Sequence, residues 1–155
     1  MSLQDIFKTD LIDINIEVDN EPDLFAYAAK KLLAKGLVKP GYAAALTKRE
    51  KEFPTGLMTK NFNIAIPHAD PENVNAPFIY ILRLTKPIVV EQMADREKIK
   101  VKDVFILGIK DGRKQVDVLA ALMNLFVNDA FAQDFLAATT AQEISASVTK
   151  HLQVD

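Results

Sequence analysis

The chain has 155 residues, a hydrophobic fraction of 49%, a formal net charge of -2 and no cysteine. Its length suits one domain with a core large enough to need no covalent staple, and its hydrophobic content is too high for disorder. The lack of cysteine excludes disulfides, thiolate zinc sites and cysteine nucleophiles, and the charge balance excludes the strongly basic face of a nucleic-acid binder.

No stretch approaches the roughly 18 apolar residues of a membrane span. Met1-Ser2-Leu3-Gln4-Asp5 lacks the basic start and apolar run of a signal peptide. A cytoplasmic protein is expected, folded as one domain over residues 1–155. Lys48-Arg49-Glu50-Lys51 and the segment from Arg96 to Lys102 are locally basic. Acids interrupt both, so each reads as solvated surface.

In chain order, Ile12, Ile14, Ile16 and Val18 alternate with polar residues, the period of a half-buried strand. Asp19-Asn20-Glu21-Pro22 is a helix start. Leu24, Phe25, Ala28, Leu32 and Leu33 continue it as one apolar stripe, and Gly36 ends it. A second helix is predicted from Pro40 to about Lys51, and Phe53-Pro54-Thr55-Gly56 reads as a loop.

Ile64-Ala65-Ile66 is a short strand ended by Pro67 and followed by His68. Phe78 to Leu84 reads as a buried central strand. Ile88 to Glu91 follows as a separate short strand after a turn at Lys86-Pro87. Val104 to Ile109 is another buried strand, closed by a turn at Asp111-Gly112. Val116, Leu119, Ala120, Met123, Phe126 and Val127 follow a helical period. Phe131 and Phe135 mark a short helix, and Thr140-Ala141-Gln142-Glu143 fits a capping box opening the last one. The interspersed pattern predicts an α/β domain, a mixed sheet of about five strands flanked by helices on both faces.

Most site motifs are missing. Gly36 and Gly41 have the spacing of a phosphate-binding loop, but Tyr42-Ala43 follow where Lys and Ser or Thr are needed. There is no serine elbow, and the two histidines, His68 and His151, are too far apart in sequence for a helical metal pair. What remains is His68 at the exit of a buried strand; on these residues alone it reads as an ordinary surface or hydrogen-bonded histidine, although the local geometry also suits a reactive one. Pro67 fixes one backbone dihedral before it. An ordinary imidazole is mostly neutral, hence nucleophilic, at neutral pH.

Arg49-Glu50, Pro54-Thr55-Gly56 and Ile64-Ala65-Ile66-Pro67-His68 resemble, in order and spacing, the signature of phosphotransferase-system IIA domains of the fructose/mannitol superfamily. The likeness extends through Leu107-Gly108-Ile109, the helix from Gln115 to Phe126 and the terminal helix. His68-Ala69-Asp70 looks most like the galactitol-type branch, where other branches commonly carry glycine after the histidine. The resemblance implies the fold of that family and a phosphoryl group carried on His68. It further implies phospho-HPr as donor, a cysteine on a sugar-specific IIB component as acceptor, a IIC permease as indirect partner, and no cofactor or metal. Sugar uptake is the implied role. A regulatory IIA-like protein acting through phosphorylation-dependent binding is the alternative.

The resemblance also suggests the rest of the site. Arg49 fits an arginine beside the active histidine, suited to bidentate phosphate contact; a solvated helix charge is its bland reading. Gln115 falls where mannitol-type members carry a second histidine, and its amide can still donate to phosphate. Glu50 is expected to orient Arg49 or to hold structure, Thr55 to hold its loop or donate to phosphate. Asp70 is expected to orient His68 or shape a turn. His151 is expected to play no catalytic part. Phe53, Leu57 and Phe62 are candidates for an apolar rim, or else for ordinary core.

Overall fold

The computed structural model describes residues 7–152; Met1 to Asp5, read above for a signal peptide, lie outside them. Five strands form one sheet: β1 (Phe7–Ile16), β2 (Gly56–Met58), β3 (Asn63–Ala65), β4 (Phe78–Glu91) and β5 (Lys98–Gly108), in the order β1-β4-β5-β3-β2. The sheet is mixed, with β1 and β4 parallel, β4 and β5 antiparallel, β5 and β3 parallel, and β3 and β2 antiparallel. Helices α1 (Glu21–Ala34) and α2 (Tyr42–Glu52) cover one face. Helices α3 (Gly112–Phe126), α4 (Asp129–Ala137) and α5 (Ala141–His151) cover the other.

The helix ends follow their sequence signals. Asn20 caps α1, its side chain accepting from the Asp23 amide at 2.9 Å, and Gly36 turns left-handed just past its end. Thr140 accepts from the Glu143 amide at 3.1 Å, and Glu143 reaches back to the Thr139 amide at 3.0 Å. This is a capping box displaced by one residue. Helix α2 starts at Tyr42 rather than Pro40, after left-handed Gly41.

Central strand residues alternate between two cores, which is why they read as continuous apolar runs. Phe78, Tyr80 and Leu82 face α1 and α2; Ile79 and Ile81 face the other three helices. Strand β1 departs from the simple alternation. Ile12 packs on the α3–α5 side, but Ile16 packs with Leu11 on the α1–α2 side. Left-handed Asn15 and a register break between Asp13 and Ile16 move Ile16 to the other face.

Three further expectations are corrected. Lys86-Pro87 is not a turn: β4 runs through it, with an irregularity between Arg83 and Ile88. A bulge there accommodates a residue without a backbone N–H. The segment from Arg96 to Lys102 is not merely solvated, since Lys98 to Lys102 belong to β5, pairing with β4 up to Glu91. Its exposed lysines alternate with buried Ile99 and Val101, so only one face of this extension is covered. Asp111 is the cap of α3 rather than part of a turn, accepting from the Arg113 amide at 2.9 Å, and Gly112 is already helical.

The apolar stripes also shift. Leu33 is exposed on α1. On α3 the buried residues are Val118, Leu122, Leu125 and Phe126, while Val116 is 66% exposed and Val127 also faces outward. Helical periodicity there offered two overlapping stripes, and packing against β5 and α4 selected one.

Candidate functional site

The short strand β3 ends at Ala65, but its pairing resumes beyond Pro67. His68 bridges to Leu107 of β5, continuing the parallel register that pairs Ala65 with Val104, and the Leu107 amide donates to the Pro67 carbonyl at 2.9 Å. Pro67 has no N–H to continue the ladder, so the strand breaks for the residues just before the histidine. His68 is therefore held by the sheet at its backbone and left half-buried at its ring.

The ring is oriented by its own strand. Nδ1 of His68 lies 3.0 Å from the carbonyl oxygen of Ile66. A carbonyl only accepts, so Nδ1 carries the hydrogen and Nε2 of the neutral ring carries the lone pair. Burial depresses the ring's pKa below 6.5, and the nearby Arg49 charge adds to this. The Ile66 hydrogen bond and the Asp70 charge oppose the fall without cancelling it. The result is a neutral imidazole of fixed tautomer, the nucleophilic form.

Arg49 lies near the end of α2 with its guanidinium 4.3 Å from the centre of the Phe53 ring. Phe53 is 56% exposed and serves as a platform for that charge. The end of α2 is fixed from a distance. Arg96, in the turn between β4 and β5, donates to the carbonyls of Lys51 at 3.0 Å and Glu52 at 2.7 Å and pairs with Glu91. A cation on the last carbonyls suits the negative end of a helix.

Glu50 does not orient Arg49. Its carboxylate is buried and accepts from the Thr55 amide at 3.0 Å and the Thr55 hydroxyl at 2.8 Å. Thr55 accordingly holds its loop to α2. The next residue, Gly56, opens β2 opposite Ala65 and also bridges to Gln92. An added Cβ on Gly56 would lie 2.5 Å from the Glu91 carbonyl oxygen, so only glycine lets the β4–β5 hairpin close over this strand. In the same way a Cβ on Gly108 would lie 2.0 Å from the Phe78 ring. Two motif glycines thus have packing reasons.

Asp70 is exposed and begins the short 3₁₀ turn Pro71–Asn73, where its carbonyl accepts from the Asn73 amide. It fits the turn role, while its charge still acts on His68. Gln115 sits in the first turns of α3, which follows the end of β5 where Leu107 meets His68. Its side chain forms no hydrogen bond to His68 among the described residues. Leu57 and Phe62 pack into the α3–α5 core, Phe62 against Phe126 and Phe135, so of the three rim candidates only Phe53 is exposed. His151 is remote in role: it joins α5 to α4 through Asp134 at 2.8 Å.

The sequence reading missed β2 and the Arg96 contact to α2. The first is three residues long, and the second joins residues 45 apart in the chain. Among the described residues no cluster of three or more His, Cys, Asp or Glu is arranged for a metal, and no helix is long and apolar enough to cross a membrane.

Known proteins resemble this chain in sequence and in fold. The galactitol-specific EIIA component of Escherichia coli K12 is 33% identical over 100 residues, covering 64% of this chain and 67% of that protein. The complex of enzyme IIAMtl with phosphorylated enzyme IIBMtl from Escherichia coli matches with a TM-score of 0.73 and 19% identity, over 93% of this chain and 99% of the matched one. Nitrogen regulatory protein IIA-Ntr from Neisseria meningitidis matches with a TM-score of 0.73 and 22% identity, over 93% and 97%. These two establish the mannitol-type IIA fold. The profile of the family described as phosphoenolpyruvate-dependent sugar phosphotransferase system, EIIA 2, matches residues 5–151, and the chain belongs to that family.

Proposed function

We propose that His68 is the residue that carries the phosphoryl group, accepting it from phospho-HPr and passing it to a cysteine of a sugar-specific IIB component. The observation that carries this reading is the Nδ1–Ile66 hydrogen bond, which leaves Nε2 as the nucleophilic nitrogen of a half-buried ring. In the first transfer Nε2 attacks phosphorus in line. Its bond to phosphorus forms as the donor's phosphorus–nitrogen bond breaks, and the donor leaves as a neutral imidazole. In the second, the partner's thiolate attacks the same phosphorus, the Nε2–phosphorus bond breaks, and His68 leaves as the neutral ring with its hydrogen still on Nδ1. Transfer of this kind is loose, so positioning and charge do most of the work.

Arg49 is the proposed cation for the phosphoryl oxygens, close enough to His68 for its charge to act on the ring. Gln115 is the proposed neutral donor approaching from α3. Thr55 and Glu50 act through the loop rather than on phosphate. No residue here is assigned to a metal or a sugar. The relation to the galactitol-specific EIIA component supports a polyol, galactitol first, as the sugar of the partner components, and membership of the EIIA family supports a cytoplasmic place of work.

The test is incubation of the full chain with phosphorylated HPr, followed by intact mass. A phosphate gain that is labile in acid, lost in His68→Ala and kept in His151→Ala, is expected. Retention of the gain in His68→Ala overturns the assignment. The likeness to a nitrogen regulatory protein favours one second reading, a regulatory role for the same histidine. Neighbouring genes for IIB and IIC components favour transport; a kinase or transcription factor as the sole captured partner favours regulation.

A further inference from the structure

We propose that Glu21, at the start of α1, is a positioning residue for His68: its protonated carboxyl donates to Glu50 and so steadies the Thr55 latch beside the phosphoryl site. The proposal rests on the carrier reading of His68.

Thr55 gives both its amide and its hydroxyl hydrogen to the Glu50 carboxylate. Glu50 is thereby the acceptor and holds the negative charge. The Glu21 carboxyl lines the same cleft as Glu50, from the first turn of the other helix. Glu21 Oε2 is buried, and no donor reaches it. A buried carboxyl oxygen facing a carboxylate is satisfied when it carries a proton and donates. One proton then serves both groups and ties the first turn of α1 to the last turn of α2.

The surroundings do not supply a substitute cation. Glu21, Glu50, Lys51, Glu91 and Lys98 line one cleft of about 310 Å³. Glu91 of β4 adds negative charge, and its partner Arg96 is engaged with the end of α2. Lys51 of α2 and Lys98 of β5 are exposed, and neither reaches the buried Glu21 oxygen. Burial first, then the Glu50 and Glu91 charges, push the Glu21 carboxyl up to about 8. Burial also raises Glu50, against the pull of the Thr55 bonds.

Loss of the shared proton places two like charges in contact across α1 and α2. The Thr55 loop follows, because Glu50 holds it. Gly56, the next residue, pairs with Ala65 on the strand that leads to His68, and Arg49 adjoins Glu50. The geometry of histidine and arginine therefore depends on a proton held by Glu21. The sign is definite. A folded-state pKa above the ordinary 4.5 gives a contribution to stability that is lost as pH rises toward about 8.

The experiment uses the ¹⁵N-labelled full chain, as wild type, Glu21→Gln and Glu21→Ala. The Thr55 amide shift and the rate of phosphate gain from phospho-HPr are followed from about pH 6 to about pH 10. In wild type, the Thr55 amide is expected to titrate with a midpoint near 8. The rate is expected to fall about tenfold across the same range, less than the roughly 100-fold that a misplacement of about 1 Å costs a reacting group. Glu21→Gln keeps a donor that cannot ionise, so both curves flatten and stay at the fast limit. Glu21→Ala is slow at every pH and still phosphorylated on His68. A Thr55 amide that does not titrate in wild type, or that titrates unchanged in Glu21→Gln, overturns the proposal. A wild-type chain that gains no phosphate defeats the carrier reading instead, and the amide titration alone then decides the fate of the pair.

Discussion

The Nδ1–H of His68 donates to the carbonyl of Ile66, two residues earlier, at 3.0 Å. The bond spans the Pro67 break, so the backbone kink that exposes the ring also supplies the acceptor that orients it. The expected consequence is a single neutral tautomer, with the proton on Nδ1. Ring ¹⁵N spectra are expected to show protonated Nδ1 and bare Nε2, and phosphorylation is expected to move the Nε2 resonance.

Because burial depresses this ring's pKa, the loss of phosphate acceptance in acid is expected to have its midpoint below the ordinary histidine value of 6.5. The same shift affects stability. The neutral ring's contribution is present above the ordinary histidine value and is lost as pH falls through the lower folded-state value. A ring titration midpoint above 6.5 contradicts the structure.

Arg49 stacks on Phe53 rather than pairing with Glu50, whose carboxylate is taken up by Thr55. Arg49→Lys keeps the charge and loses the planar fork. A drop in phosphoryl-transfer rate of roughly 100-fold is expected, the scale of one lost transition-state donor. Phe53→Ala is expected to give a smaller loss, since it frees the arginine without removing it. Single-turnover rates with the purified partner decide both.

Gly108 and Gly56 allow close approach rather than unusual dihedrals. Gly108→Ala forces a methyl group into the Phe78 ring and is expected to lower stability by about 1–3 kcal/mol or more. In Gly56→Ala the obstacle is the Glu91 carbonyl oxygen, which moves only with the hairpin. Urea denaturation of both variants measures the cost. A change within about 0.5 kcal/mol, typical of a neutral surface site, contradicts the packing account.

Asp13 gathers three donors: Lys31 at 2.8 Å, Tyr27 at 3.2 Å and a short bond from Tyr80. Burial raises its pKa, but these bonds outweigh it and leave the carboxyl below 3.8. Stability from this cluster is thus present above the ordinary carboxylate value and lost as pH falls through the depressed one. Asp13→Asn is expected to cost about 1.5–3 kcal/mol near neutral pH. The gap between variant and wild type is expected to shrink in acid, as read from unfolding midpoints.

The sequence by itself determined the elements whose causes are local. Asn20, Gly36, Thr140 and Glu143 mark helix ends because capping needs only neighbours along the chain. His68 was legible as the candidate reactive group because Pro67 and the apolar strand before it lie within a few residues, and its motif pointed to the family. The tertiary structure alone decided the faces and the partners. Asn15 sends Ile16 to the opposite core, β4 continues through Pro87, and packing selects Val118 over Val116. Glu50 turned from a candidate companion of Arg49 into the anchor of Thr55, Glu21 of α1 joined it in one cleft, and Arg96 came from the β4–β5 turn to hold the end of α2. A buried carboxyl takes its role from whichever donors the fold brings to it: Thr55 is near Glu50 in the chain, but the burial that makes its bonds decisive comes from α1 and β4, which line the same cleft.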